Sequence, residues 1–199
     1  GEMTNVILQP CANKGSQAHY HDTIENPVIL NEVSHLLTQD EVNSLNNIYP
    51  EGRMRVWGVT PGVSGNNISK WERIETGDVT LLAAQGRVFA SAITSLKFQN
   101  KSLASHLWGQ DDKGMTWEYM YFISEVYERD IPYLEFNSIV GYEPNYVIQG
   151  FNVLSEEKSH RILNHFNLES TIFTPTSTAS KYLKEFAGKD LVKESTTLF

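Results

Sequence analysis

The sequence has a single cysteine, Cys11, among its 199 residues, and it has no run of about 18 apolar residues. The lone cysteine excludes an internal disulfide and favours a reducing compartment, so we expect a cytoplasmic protein. The lack of a long apolar run argues against a transmembrane helix, and we expect no membrane partner. The first residues also lack the basic and apolar regions of a signal peptide.

Patterns that carry catalytic chemistry are also scarce. No glycine-rich phosphate loop is present, and the Gly62-Val63-Ser64-Gly65 turn lacks the glycine spacing of a nucleophile elbow. The residues His19, His21 and Cys11 are an incomplete ligand set for structural zinc, which takes four ligands from tightly spaced pairs. We therefore expect no catalytic residues, no metal and no cofactor in this chain, and a binding role is favoured.

The net charge of −8 at first argues against a nucleic-acid partner, because nucleic acids are polyanions. The charge is nevertheless segregated along the chain. Residues 53–113 carry eight Lys and Arg against five Asp and Glu, whereas the remainder carries eight against nineteen. All the tryptophans lie in or just beyond this positive segment: Trp57, Trp71, Trp108 and Trp117. Interleaved basic and aromatic residues suit phosphate pairing and base stacking, although a tryptophan-rich core behind a solvated basic face would give the same pattern.

The hydrophobic periodicity predicts strands separated by short helices. Thr38 to Glu41 fits a capping box at the start of a helix. Strands are predicted at residues 54–59, 79–84, 87–96, 117–126 and 142–151, and short helices at 68–74, 103–108, 134–140 and from Ser155. Gln85-Gly86 between the second and third of these strands is a signal for a hairpin turn. Residues 1–30 are predicted to be mostly irregular. The predicted strands and helices do not alternate in βαβ units. This order of elements favours an α+β fold, namely a mixed, mostly antiparallel β-barrel with peripheral helices.

Two stretches carry motifs of a known family. The first runs from Arg55 to Gly62 (RVWGVTPG) and on through Asn66-Asn67, Trp71-Glu72-Arg73 and Gly77-Asp78. The second runs from 103 to 123 and contains WGQDDKG followed by the aromatic run WEYMYFI. Together they resemble the EVE and YTH branches of the PUA-like superfamily, especially the reader domains of prokaryotic modification-dependent restriction endonucleases of the EVE-HNH or McrB type. The likeness covers roughly residues 53–135, with a weaker match through 141–151.

The resemblance implies a PUA-like (EVE/YTH-like) barrel that binds a nucleobase in an aromatic cage. Trp57 matches a cage tryptophan at a strand end, and Trp108 matches another that precedes a Ser-Gln-Asp-Lys run. Some YTH domains carry a third cage aromatic just after that run, where this chain has Gly114. Three residues could replace it: Trp117, Tyr119 and Met115.

Polar and basic residues of the same segment would complete the site. The base edge could be read by Asn66, Asn67 or Asp78, and a simple turn is the alternative role for the Gly77-Asp78 pair. Phosphates would be bound by basic side chains, which are Arg55, Lys70, Arg73, Arg87, Lys101 and Lys113.

The leading hypothesis is a reader that flips a modified base out of double-stranded DNA. The EVE-like pattern favours 5-methyl- or 5-hydroxymethylcytosine, whereas a YTH-like cage would favour methylated adenine in DNA or RNA. The alternative from a different functional class is a hydrolase whose active site is not revealed by a known motif. Residues 1–170 would form the reader with its N-terminal extension, and 171–199 a linker and short helix leading to a nuclease or motor domain, as in a restriction endonuclease. RNA and a second copy of the chain remain alternative partners.

Overall fold

The computed structural model describes residues 4–168, which form a mostly antiparallel, seven-stranded sheet with helices. The predicted linker and short helix at 171–199 lie outside the described residues. The strands are β1 Val6–Pro10, β2 Val28–Ile29, β3 Arg53–Val59, β4 Val79–Ala84, β5 Arg87–Gln99, β6 Tyr119–Pro132 and β7 Asn152–Val153. Their order in the sheet is β2-β3-β6-β5-β4-β1-β7. The β1–β4 pair is parallel, with Leu8 opposite Leu81.

Seven α-helices accompany the sheet within the described residues. They are α1 Lys14–Tyr20, α2 Leu30–Val33, α3 Gln39–Ile48, α4 Asn66–Glu72, α5 Lys101–Trp108, α6 Tyr133–Val140 and α7 Glu156–Phe166. A π-helical turn, His21–Glu25, continues directly from α1.

The α+β class and the mostly antiparallel sheet are confirmed, but the predicted closure into a barrel is not found. Within residues 4–168 the sheet is open and runs from β2 at one edge to β7 at the other. Each of these edge strands has only two residues and pairs with a single neighbour. Two residues are too few to build the further hydrogen-bonded ladder that closure requires.

Several local predictions are confirmed in detail. The capping box is present, because Thr38 Oγ1 accepts from the Glu41 amide at 3.1 Å and Glu41 Oε1 accepts from the Thr38 amide at 3.0 Å. The β4–β5 hairpin turns at Gln85 and Gly86, whose φ angles of 53° and 80° are those of a type I′ turn.

Two local predictions are wrong. Of residues 1–30, predicted to be irregular, the described part from residue 4 on is mostly regular, since it contains β1, α1 and the π-helical turn. The run Val6-Ile7-Leu8 is fully buried in β1, which lies between β4 and β7. Such a strand reads as a continuous apolar run without alternation, and it is easily missed. The strand predicted at 142–151 is mainly loop, and β7 follows it.

The described chain divides into two compact units, and strands β5 and β6 contribute residues to both. Unit 1 comprises residues 4–12, 77–94 and 125–168, and unit 2 comprises 13–76 and 95–124. The core of unit 1 includes Leu8, Leu81 and Phe136. The core of unit 2 includes Val56 of β3 and Leu103 of α5. The second core therefore fixes the strand and the helix that carry Trp57 and Trp108.

Candidate functional site

Trp57 lies in β3, on the sheet face opposite to the core of unit 2. Strand β3 pairs with β6 so that Trp57 stands across from Tyr121 and Gly58 across from Met120. Because side chains alternate along a strand, the burial of Val56 in the core directs Trp57 to the other face. There Trp57 is 4% exposed, and the Tyr20 ring centroid lies 6.4 Å from its own.

Gly58 is the point at which two further tryptophans approach β3. A Cβ placed on Gly58 would lie 2.9 Å from Cζ3 of Trp108 and closer still to the backbone oxygen of Trp117. Glycine is thus required by space at this position. The structure brings Trp108 and Trp117 together beside Gly58, and we call these two residues the tryptophan cluster. Trp108 packs against the core of unit 2, so the side chain of Trp57 lies on the other face of the sheet and does not join the two as a wall of one cage.

The end of helix α5 positions Trp108. Asn100 caps the helix through its Oδ1, which accepts from the Leu103 amide at 2.8 Å, and Leu103 itself is buried in the core of unit 2. Gly109 ends the helix with φ 75°, and its amide donates to the Ser105 carbonyl at 2.8 Å. The Nε1 of Trp108 is buried and has no hydrogen-bond partner among residues 4–168. An unpaired buried donor costs stability.

The loop between α5 and β6 is held by Asp111. Its Oδ1 accepts from the amides of Lys113 and Met115, both at 2.9 Å. Thr116 Oγ1 donates to the Gly109 carbonyl at 2.7 Å and closes the loop at its base. This loop contains the WGQDDKG motif, so its first acidic residue shapes the turn that returns the chain to Trp117.

His19 of α1 lies between Trp108 and Trp117, and the sequence analysis did not identify it as a site residue. Its ring centroid is 4.4 Å from that of Trp117, with the planes at 82°, and 5.5 Å from that of Trp108, with the planes at 33°. Burial lowers the pKa of His19, and the charge of Asp22 partly opposes this shift. The imidazole is therefore held mainly in its neutral form. The sequence signal for this contact is weak, because His19 and His21 with Cys11 nearby indicate metal ligands rather than a ring packed on tryptophan.

The π-helical turn His21–Glu25 attaches α1 to strand β3. Thr23 Oγ1 donates to the Val56 carbonyl at 2.6 Å, and Arg55 Nε donates to the Ile24 carbonyl at 2.8 Å. Irregular helical turns of this kind often occur at functional sites. Here the turn anchors the C-terminal end of α1 beside the tryptophan cluster.

Of the three candidates for the third wall, Trp117 is the one that lies beside Trp108 at Gly58. Tyr119 instead packs edge-on against Trp71, with ring centroids 5.2 Å apart. Trp71 donates from Nε1 to the Met120 carbonyl at 3.1 Å, and Lys97 Nζ lies 4.8 Å from its ring centroid. Met115 is 37% exposed. Trp71 and Tyr119 thus form a second aromatic pair.

The polar candidates are divided between the two units. Asn66 and Asn67 begin α4 in unit 2 and pack over Gly62, while Asn67 Nδ2 donates to the Thr60 carbonyl at 3.1 Å. Asp78 belongs to unit 1, is 2% exposed, and accepts from the Asn5 amide at 2.9 Å. Asn66 is exposed, whereas Asn67 stabilises the loop before α4 through its hydrogen bond to the Thr60 carbonyl.

The basic candidates also differ in their surroundings. Arg87 lies in unit 1 and forms an ion pair with Asp130 at 2.6 Å. Arg55 is half-buried and bonded to Ile24, as described above. Of the remaining candidates, all in unit 2, Lys70 is half-buried and three are exposed, namely Arg73, Lys101 and Lys113.

Charge segregation along the chain does not make unit 2 positive. Unit 2 carries eight Lys and Arg but eleven Asp and Glu. Any attraction for phosphates must therefore come from local groups of lysine and arginine.

The structure also bears on metal sites and membrane spans. In the described part of the chain, no group of three or more His, Cys, Asp or Glu side chains is arranged to hold a metal ion. No helix among residues 4–168 is both long and apolar enough to cross a membrane.

Comparison with known proteins gives a structural likeness. No protein-family model matches the chain, and no curated protein matches it. Among solved structures, the chain is similar to the N-terminal domain of Thermococcus gammatolerans McrB bound to m5C DNA. The TM-score is 0.60 at 14% sequence identity, over 83% of this chain and 98% of the other. At this identity the likeness shows a shared fold, which supports the resemblance to McrB-type domains at the level of fold.

Proposed function

We propose that this chain is a DNA-binding module that recognises a modified base, 5-methylcytosine or 5-hydroxymethylcytosine, by flipping it against the tryptophan cluster. The observation that carries the proposal is the gathering of Trp108 and Trp117 beside Gly58, with the His19 ring in contact with both indoles. The shared fold adds to it, because the similar McrB domain is bound to DNA that contains m5C.

The chemistry of the cluster suits a flipped base. Stacking on one aromatic side chain contributes about 1–3 kcal/mol per base, which offsets the few kcal/mol lost on unstacking the duplex. A methyl group at the 5-position of cytosine adds apolar contact with an indole face.

Phosphate contacts would supply the rest of the affinity. In unit 2 the exposed side chains Arg73, Lys101 and Lys113 are the strongest candidates for them. Few such groups and a net charge of −8 favour modest affinity for unmodified DNA. Following the resemblance, we extend the proposal to an EVE-like reader domain over residues 1–170 that targets the nuclease or motor part of a modification-dependent restriction endonuclease.

A panel of duplexes that differ only in one base tests the proposal. The duplexes carry cytosine, 5-methylcytosine, 5-hydroxymethylcytosine, adenine or N6-methyladenine, and affinity is measured at fixed salt. We expect at least a tenfold preference for a modified cytosine over cytosine. We expect Trp108→Ala to weaken binding more than Trp108→Phe does. Trp71→Phe is the matched control, since Trp71 lies in the second aromatic pair. Thermal unfolding of each variant verifies that it is folded.

Other outcomes would redirect the assignment. Preference for N6-methyladenine would indicate a YTH-like reader, and tighter binding of unmodified single-stranded RNA than of modified duplex would indicate an RNA-binding protein. Turnover of a nucleic-acid substrate by the isolated chain would instead support the hydrolase alternative.

A further inference from the structure

The imidazole of His19 lies close to the rings of both Trp108 and Trp117. Its plane is tilted by only 33° from that of the indole, at a centroid distance of 5.5 Å, while Trp117 meets it edge-on at 4.4 Å. A ring inclined by this angle and at this distance leaves little room for a flipped base to stack on the same part of the indole. One indole face cannot hold both rings at once.

We propose that His19 occupies the position of the flipped base beside Trp108 in the DNA-free protein. The imidazole must move away from Trp108 before a base can stack there. The inference rests on the proposed function and adds an affinity-setting residue to it. His19 would shield the tryptophan cluster from water in the free protein, and the entering base would replace this contact by its own.

The attachment of α1 allows such a movement. The helix has seven residues, Lys14–Tyr20, and none of them is buried. Its N-terminal cap is local, since Asn13 Oδ1 accepts from the Ser16 amide at 2.8 Å. Its C-terminal end is anchored to β3 by Thr23 of the following turn. A short helix with little buried surface has low local stability, so α1 can pivot or unwind without disturbing the core of unit 2.

Competition between His19 and the base for Trp108 has a measurable consequence, which would be absent if His19 were a fixed wall of the cage. If the site is open for only a fraction of the time, the apparent Kd of every base that stacks on Trp108 rises by the same factor. Removing His19 should then tighten binding of all such bases equally and leave their ratio unchanged. A side chain that forms a wall would do the opposite, because its removal weakens binding and alters the ratio between different bases.

The experiment measures Kd of wild type and His19→Ala for duplexes with 5-methylcytosine, 5-hydroxymethylcytosine or only unmodified bases. We expect roughly five- to tenfold tighter binding of both modified duplexes, since loss of one ring contact of about 1 kcal/mol changes Kd by that order. Binding of the unmodified duplex through phosphates should stay unchanged. His21→Ala is the matched control, because His21 is exposed and contacts Glu25 at 3.1 Å.

A second variant keeps the test decisive if the first folds poorly. His19→Phe retains a flat ring and strengthens its contact with the indoles, so it should weaken binding of both modified duplexes. Weaker binding of modified DNA by His19→Ala, or no change in both variants, would overturn the inference. Failure of all variants to distinguish modified from unmodified DNA would instead overturn the proposed function, and the inference with it.

Discussion

Gly58 and Trp108 are in direct contact, and the lack of a side chain at Gly58 lets the indole lie against strand β3. A Cβ at this position would come within 2.9 Å of Trp108 Cζ3. The backbone of Trp117 closes the space on another side of the same position. The glycine of the Trp57-Gly58 motif therefore determines how closely the tryptophan cluster can assemble.

Gly58→Ala should disturb both stability and binding. The added methyl group overpacks the contact with Trp108 and the Trp117 backbone, which we expect to lower the free energy of unfolding by about 1–3 kcal/mol. The displaced indole should also weaken binding of DNA with a modified cytosine. Urea unfolding and a binding titration measure the two effects.

Gly150→Ala is the control for this substitution. No heavy atom of the described residues lies within 4 Å of a Cβ at Gly150, and its φ is not positive. This variant should stay within about 0.5 kcal/mol of wild type. Wild-type stability and affinity in Gly58→Ala would show that the close contact is not present.

Asp111 is expected to stabilise the loop that follows Trp108. Asp111→Ala removes the acceptor of two amides, those of Lys113 and Met115. We expect a loss of about 0.5–2 kcal/mol and faster hydrogen exchange at these two amides. Asp111→Asn should retain most of the protection, since its side-chain oxygen can still accept.

The neighbouring acid provides a charge-matched control. Asp112 is exposed, and no side-chain hydrogen bond is found for it within residues 4–168. Asp112→Ala removes the same charge but should leave exchange at Lys113 and Met115 unchanged. Equal effects of the two alanine variants would argue that charge, rather than the turn geometry, is responsible.

The parts of the fold that follow from the sequence are those governed by local chemistry. The capping box at Thr38 and Glu41 lies within four residues, and the Gln85-Gly86 turn needs only its own backbone. Trp57 and Trp108 could be selected because each precedes a glycine in a motif of the family. The structure places Trp108 against Gly58 but directs the side chain of Trp57 to the other face of the sheet, and the role of each in binding stays a prediction.

Other features depend on contacts between residues far apart in the chain. Helix α1 has no apolar face, so periodicity gives no sign of it, and His19 reaches Trp108 only because Thr23 bonds to β3. The open sheet results from the short strands β2 and β7, which no propensity predicts. The charge counted along the chain did not predict the net charge of unit 2 for a related reason. Folding combines the basic segment with acidic residues from other parts of the chain.

Salt dependence should separate phosphate-binding lysines from structural basic residues. Lys101 and Lys113 are exposed, and we expect Lys101→Gln and Lys113→Gln each to reduce the slope of log K against log salt by about 1 if each contacts a phosphate. Arg55→Gln should mainly reduce stability, because Arg55 Nε donates to the Ile24 carbonyl. Affinity measured across a salt series, with urea unfolding alongside, distinguishes the two roles. An unchanged slope in both lysine variants would remove them from the interface.

The pKa of His19 reports on its contact with the tryptophan cluster. Burial lowers this pKa from the ordinary value of 6.5, and Asp22 acts weakly in the opposite direction. Trp117→Ala exposes the ring, so the pKa measured by NMR should rise towards 6.5. An unchanged pKa in this variant would show that Trp117 does not bury the imidazole.

The same shift makes stability depend on pH with a definite sign. Between the lowered pKa of the folded protein and 6.5, the unfolded chain binds more protons at His19 than the folded protein does. The contribution of His19 to stability is therefore complete above pH 6.5 and decreases as the pH falls below that value. Urea unfolding at pH 7.5 and 5.5 should show a larger loss for wild type than for His19→Gln, which cannot be protonated. Equal losses would contradict a buried, neutral imidazole on Trp108.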